Sequence, residues 1–390
     1  MKSYKEHFSH FLAAAGERLH LAAHSHHYWP DVTRAAHAKV WDLAAQGVDQ
    51  KWDQLFAETI PELQAQIAGH LGLSNPGRIA FASNTHCFVL RLLSHFPPDR
   101  SIRVLSSDSE FLSFSRQCDR LCEDGGLQWD QLSCVPFESF EERLIAQIED
   151  GDYDLVFVSQ VFFNSGFVLE DLEALAKALE ATETLLVIDG YHGFMAVPTD
   201  LGPIEDRAFY MSGGYKYAMS GEGVCFMHCP DDFVPRPSDT GWFASFGELE
   251  GSSAPGSVGY GPQGQRFWGA TMDPSGMLRM HAVMEWLEEC ELDVPKIHAH
   301  VLGLEQYFIE RLQKGELPWL REEDLIPGPG ALERGHFLTF RTPQAGALHR
   351  QLMASHVITD YRGENLRFGF GLYHDPSDVD ELCRRMQDSE

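Results

Sequence analysis

Lys216 stands in the run Ser212-Gly213-Gly214-Tyr215-Lys216-Tyr217, and Asp189 and His192 stand upstream of it in Asp189-Gly190-Tyr191-His192. Asp189 closes the apolar stretch Leu185 to Ile188, which reads as a strand. Lys216 follows the next apolar stretch, Phe209 to Met211, in a glycine-rich turn. A carboxylate and an amine at the ends of neighbouring strands can act on one small ring. The carboxylate keeps a pyridine nitrogen protonated, so that the ring draws electrons, and the amine condenses with an aldehyde to form a Schiff base. Those are the demands of pyridoxal phosphate (PLP). Taken singly, Asp189 reads equally well as a strand end and Lys216 as a surface lysine; together, in this order, they predict a PLP site.

A phosphate-bearing cofactor also needs an anion cradle. Ser83-Asn84-Thr85-His86-Cys87 lies between the apolar run Ile79 to Ala82 and a helical pattern through Val89, Leu90 and Leu93. Amides at a helix N-terminus, helped by a hydroxyl, bind anions, although the same residues also suit an ordinary cap. Thr85, His86 and Cys87 are the candidates. Phe111 follows the next strand and the acidic turn Ser107-Asp108-Ser109-Glu110, where an aromatic can stack on a pyridine ring or fill the core.

These residues need a scaffold that gathers strand ends. From about 78 to 230 the chain alternates apolar runs (78–82, 102–105, 155–158, 185–188, 209–211, 224–227) with amphipathic stretches such as 169–179. That pattern predicts an α/β fold with a mostly parallel central sheet and helices on both faces, which binds ligands at the carboxyl ends of its strands. Amphipathic helices are expected at 32–41 and 55–71. The stretch 247–264, rich in Gly, Ser and Pro, reads as a long functional loop. Helices at 276–290, 295–313 and 345–355, with strands at 336–340, 357–361 and 366–370, predict a smaller α+β unit. The expected division is a large cofactor domain over 56–274 and a small domain formed by 1–55 and 275–390.

Composition narrows the function. Thirty Lys plus Arg against 58 Asp plus Glu give a net charge of −28, which opposes nucleic acid and anionic membranes. The N-terminus has no apolar signal core and no stretch is apolar enough to span a bilayer, so the expectation is a cytosolic protein. The eight cysteines read as free thiols. Cys118 with Cys122 and Cys225 with Cys229 are each four apart, yet nothing completes a ligand set, and no metal site is expected.

The motifs resemble the class V aminotransferase branch of fold-type I PLP enzymes, and most of all the kynureninases, over about residues 20–375. Asp189-x-x-His192 is similar to the family's Asp-x-x-His, which implies that Asp189 pairs with the pyridine nitrogen and that His192 lies by the ring. Tyr215-Lys216 is similar to the family's Tyr-Lys, implying phosphate contact by Tyr215 and a Schiff base on Lys216. Gly241-Trp242-Phe243 resembles the motif whose Trp reaches the partner subunit's phosphate and substrate pocket, and Thr271 falls where a phosphate ligand is placed. The resemblance therefore implies a homodimer with shared sites. Arg367-Phe368-Gly369, after Asp360-Tyr361-Arg362, resembles the motif whose Arg grips the substrate carboxylate, a task suited to a bidentate guanidinium.

Departures mark the substrate side. Where kynureninases have Gly-Asn-Ser-Leu-Gly, this chain has Ala23-His24-Ser25-His26-His27, and only Ser25 matches. His24 and His26 share a face if the segment is extended. His24, Ser25, Trp242 and Arg367 are the expected substrate-binding residues. The reading is a PLP enzyme acting on an L-amino acid, with hydrolytic cleavage between Cβ and Cγ ahead of transamination. A cysteine desulfurase is disfavoured because 291–382 contains no cysteine, and a PLP-binding regulator because no basic DNA-binding segment is appended.

Overall fold

The computed structural model describes residues 2–231, 233, 235–248, 257–328 and 333–387. In chain order its strands are β1 Leu19–His20, β2 Ile79–Ala82, β3 Ile102–Ser107, β4 Leu127–Leu132, β5 Leu155–Ser159, β6 Leu185–Asp189, β7 Ala208–Gly213 and β8 Cys225–His228. They continue with β9 Leu325–Ile326, β10 Phe337–Arg341, β11 Val357–Ile358, β12 Asp360–Arg362 and β13 Asn365–Gly369.

Seven strands form the central sheet, in the order β2-β8-β7-β6-β5-β3-β4. β8 runs antiparallel to both its neighbours, and the remaining pairs are parallel. Because β8 is reversed, the carboxyl end of β2 lies on the same edge as those of β3, β5, β6 and β7. The inner strands are buried on both faces, as Leu155–Ser159 shows with every residue enclosed, which is why they read as continuous apolar runs. Edge strand β4 was not anticipated. Its sequence, Leu-Gln-Trp-Asp-Gln-Leu, is polar on its open side and only its first residue is buried, so it lacks the apolar signature of a central strand.

A second sheet, β12-β13-β10-β9, is antiparallel, and β1 pairs with β11 in parallel. Two hydrophobic cores correspond to these layers. The larger surrounds the central sheet and includes the helix Ser275–Glu289; the smaller gathers Leu19, Leu21 and apolar side chains between Val301 and Met386. The division 56–274 against 1–55 with 275–390 is kept as a proposal beside this packing.

The expected helix at 55–71 has its first turn wound as π-helix over Leu55–Thr59 before the α-helix Ile60–Leu71. The one at 169–179 shortens to Leu172–Ala178, entered through the side chain of Asp171, which accepts from the Ala174 amide at 2.8 Å. The centre of the expected loop, 249–256, lies outside the described residues; its flanks form 3-10 segments at Trp242–Glu248 and Gln263–Phe267. Among the described residues no helix is long and apolar enough to cross a membrane.

Candidate active site

Lys216 is delivered by a turn held at both ends. β7 ends at Gly213 and β8 begins at Cys225, antiparallel to it, so the intervening residues leave and rejoin the sheet on one edge. Glycine is required by close approach: a Cβ at Gly213 would collide with Cys225 Sγ and the Tyr191 hydroxyl, and one at Gly214 with Ser220 Oγ. The Lys216 side chain is buried, with Nζ 2.9 Å from His192 Nε2 and 3.2 Å from Nδ1. It lies 4.8 Å from the ring centroid of Tyr191 and 5.6 Å from that of Phe111.

Burial lowers the Lys216 pKa to about 7, with the Asp189 charge opposing that shift and Arg367 adding to it. His192 is held well below its usual value, first by burial and then by Lys216 and Arg367, so its imidazole is neutral. Asp189 Oδ1 accepts from the Tyr191 amide at 2.9 Å. Burial raises the Asp189 pKa, while that amide and Lys216 oppose the rise. Its residual exposure is to the cavity it lines rather than to bulk water.

That cavity, about 230 Å³, opens at the carboxyl edge and is lined by Thr85, His86, Phe111, Asp189, His192, Tyr215 and Lys216, all expected site residues. Cys87 is not among them. Its amide donates to Asn84 Oδ1 at 3.1 Å, so it serves the cap of the helix Thr85–Leu93 instead of the cavity. Trp242 and Thr271 lie outside the cavity of their own chain but meet each other, Trp242 Nε1 donating to Thr271 Oγ1 at 3.1 Å on an indole 43% exposed.

Two of the expected substrate residues, Arg367 and His24, lie behind the cavity wall. Arg367 is buried between the rings of Phe163 and Phe337, each 5.9 Å away; it pairs with Asp360 and donates to the Phe163 carbonyl, leaving Nε without a partner. His24 is also buried, stacked on Phe337 at 4.8 Å, with Nε2 4.0 Å from Asp360 Oδ2 and both ring nitrogens without a hydrogen-bond partner. The segment is a turn and not extended, so His24 and His26 do not share a face. Ser25 and His26 amides both donate to the Ala22 carbonyl, and this turn sends His24 inward and His26 outward onto Tyr215. Ser25 stays beside His26, its Oγ 3.4 Å from His26 Nδ1, and does not reach the cavity.

Sequence reasoning passed over Ser159, Glu222 and Gly223, which also line the cavity, and Glu110 behind it. The local signal for Glu110 was Ser107, three residues before it, whose hydroxyl donates to its carboxylate. Among the described residues no group of His, Cys, Asp and Glu is arranged to hold a metal.

PLP needs a carboxylate for its ring nitrogen, an amine for its aldehyde, an aromatic face and an anion cradle. The cavity offers Asp189, Lys216, Phe111 and the first turn of Thr85–Leu93, and the buried His86 Nδ1 beside that turn has no partner within the protein. The residues present fit the cofactor.

Comparisons with known proteins agree. The family model for aminotransferase class-V matches residues 28–324, and that for the kynureninase C-terminal domain matches 297–386. No curated protein is found as a relative. Among solved structures, a C-DES mutant with glycine covalently linked to its PLP cofactor superposes with a TM-score of 0.79 at 14% identity, covering 99% of this chain and 100% of the other. The apo cysteine desulfurase from Thermococcus onnurineus NA1 gives 0.76 at 17% identity, covering 96% and 94%. The cysteine desulfurase CsdA from Escherichia coli gives 0.75 at 14%, covering 98% of each chain. These likenesses show the fold, while the family model spans most of the chain: the protein belongs to the aminotransferase class-V family and is a PLP-dependent enzyme.

Proposed function

We propose that the enzyme cleaves an L-amino acid bearing a γ-carbonyl hydrolytically between Cβ and Cγ, in the manner of a kynureninase. The supporting observation is Arg367, which lies within the segment matched by the kynureninase C-terminal domain and close enough to lower the pKa values of Lys216 and His192. When bound, PLP supplies a conjugated ring that takes up the electron pair released at the substrate's Cα. Asp189 holds the proton on the ring nitrogen. Lys216, with its amine poised near neutrality, removes the Cα proton and returns it, and neutral His192 accepts a hydrogen bond from Nζ between those transfers. Water adds its oxygen to Cγ, the Cβ–Cγ bond breaks, and Cβ takes a proton, leaving alanine and a carboxylic acid.

Arg367 grips the substrate carboxylate through its unpartnered Nε and, on exchanging Asp360 for the substrate, through the adjacent Nη2. Arg367→Lys removes that fork and a hydrogen bond to a charged group worth roughly 1.5–3 kcal/mol. KM is expected to rise about 10- to 100-fold with a smaller change in kcat; an unchanged KM excludes the assignment.

A panel of amino acids incubated with the PLP-loaded enzyme distinguishes the readings. Alanine release supports β,γ-cleavage. A 2-oxo acid with aminated cofactor supports transamination, the second reading, which the class-V match favours. Desulfurase chemistry lacks its thiol here: 291–382 has no cysteine, and Cys383 is buried with its pKa raised by burial.

The active unit is further proposed to be a cytosolic homodimer in which Trp242 and Thr271 complete the neighbouring site. Mixing Lys216→Ala protein with an inactive Trp242→Ala protein and allowing subunit exchange is expected to restore activity, because each mixed dimer then holds one intact site. A mixture that stays inactive after proven exchange excludes shared sites.

A further inference from the structure

Glu110 is a buried carboxylate outside the residues assigned above. It is 5% exposed, in the turn after β3, and its two oxygens reach two strands. Oε1 accepts from Ser107 Oγ at 2.5 Å and from the Ser159 amide at 3.2 Å; Oε2 accepts from Ser159 Oγ at 2.6 Å. Ser107 ends β3 and Ser159 ends β5. Ser159 pairs in register with Asp189 at the end of β6, and both line the cavity. The next residue, Phe111, lines it too. One carboxylate therefore ties together the strand ends that carry the cavity floor. A neutral amide could have made much of this staple without the cost of burying a charge.

We propose that Glu110 is a positioning residue for Asp189, holding Ser107 and Ser159 so that Asp189 meets the cofactor ring in one orientation and beside a second negative charge. The inference rests on Asp189 being the partner of the ring nitrogen. Burial raises the Glu110 pKa to about 7, with the Asp189 charge adding to the rise and the Ser107 and Ser159 bonds opposing it. Two titratable groups act on it or feel it, and a third, in its own turn, is engaged elsewhere. Asp189 does so from β6; Cys118, on the helix Leu112–Glu123, is kept protonated by burial; and Asp108, in its own turn, accepts from the Cys134 amide at 2.9 Å. Lys216 approaches Asp189 from the cavity side. Above about pH 7 the Glu110 carboxylate is ionised, and its field favours protons on the cofactor ring and on the Lys216 nitrogen. Below that pH Glu110 takes up a proton and the field is lost.

The test uses the PLP-loaded enzyme and reads the absorbance of the bound cofactor against pH, together with the melting temperature. Glu110→Gln removes the charge while keeping the shape. The absorbance midpoint is expected to fall by about half a pH unit or more, and Glu110→Asp, which keeps the charge, is expected to bring it back toward the wild-type value. An unmoved midpoint in Glu110→Gln, or an equal fall in Glu110→Asp, overturns the proposal and leaves a structural staple, whatever the melting temperatures. If Glu110→Gln does not fold, Ser107→Ala serves instead. It keeps the carboxylate but withdraws a donor, so Glu110 ionises at higher pH; a lower midpoint supports the proposal and an unchanged one overturns it. Asp189→Asn separates the two readings. If that variant shifts the midpoint while Glu110→Gln is silent, only the Glu110 inference fails; if Asp189→Asn is itself silent, the assignment of Asp189 fails with it.

Discussion

Lys216→Ala protein is expected to purify without the yellow colour of the wild type and to give no borohydride-stable adduct with PLP. The other lysines are poor substitutes. Lys5 is engaged with Asp375 and Asp378, Lys296 with Asp293, and Lys51 with the Val48 carbonyl, whereas Lys216 is buried at the cavity. A buried amine with its pKa near 7 is largely unprotonated at mildly alkaline pH, which is the form that attacks an aldehyde. Turnover loses both the covalent attachment and the proton carrier at Cα, so activity is expected to drop at least roughly 1,000-fold. An adduct retained in Lys216→Ala would falsify the assignment; peptide mapping of the wild-type adduct to residue 216 is the positive form of the same test.

Asp189→Asn is expected to have the second largest effect. Breaking a buried ion pair by neutralising one partner costs roughly 3–5 kcal/mol, which for the pair between Asp189 and the protonated ring corresponds to a loss of about two to four orders of magnitude in turnover. A second consequence has a definite sign. The Asp189 charge raises the Lys216 pKa against burial and against Arg367, so removing it lowers that pKa further and shifts the acidic limb of any profile that depends on unprotonated Lys216 to lower pH. Unchanged turnover in Asp189→Asn would show that another group protonates the ring.

Much of this was legible in the sequence where burial is written as an apolar run. β5, β6 and β7 are enclosed on both faces, so their boundaries, and with them Asp189 and Lys216, could be read directly. β4 escaped because an edge strand with Gln128, Asp130 and Gln131 looks like a loop. The histidine segment left its geometry open in the sequence, because a turn around Ala22 decides which ring faces inward. The state of Arg367 was also hidden. Its motif announces a carboxylate clamp, but that the guanidinium already holds Asp360 and the Phe163 carbonyl depends on β12 and β13 lying side by side and on a loop far away in sequence. Glu110 shows the general difficulty: an acidic residue among serines looks solvated until the fold places three donors around it.

The reversed strand β8 has a bearing on how the molecule comes into being. Its pairing with β7 is local, so the segment with Lys216 can take shape as a hairpin early and independently. Its other side pairs with β2, where Ala82 sits opposite Cys225, and that contact joins parts of the chain far apart in sequence. Loop closure across so long a separation is slow, so the anion cradle that begins after β2 is brought to the lysine late, when the sheet closes. The cofactor pocket is consequently absent from partly assembled chains. PLP, which needs both the cradle and the lysine, binds the closed sheet and stabilises it over chains in which β2 and β8 are unpaired.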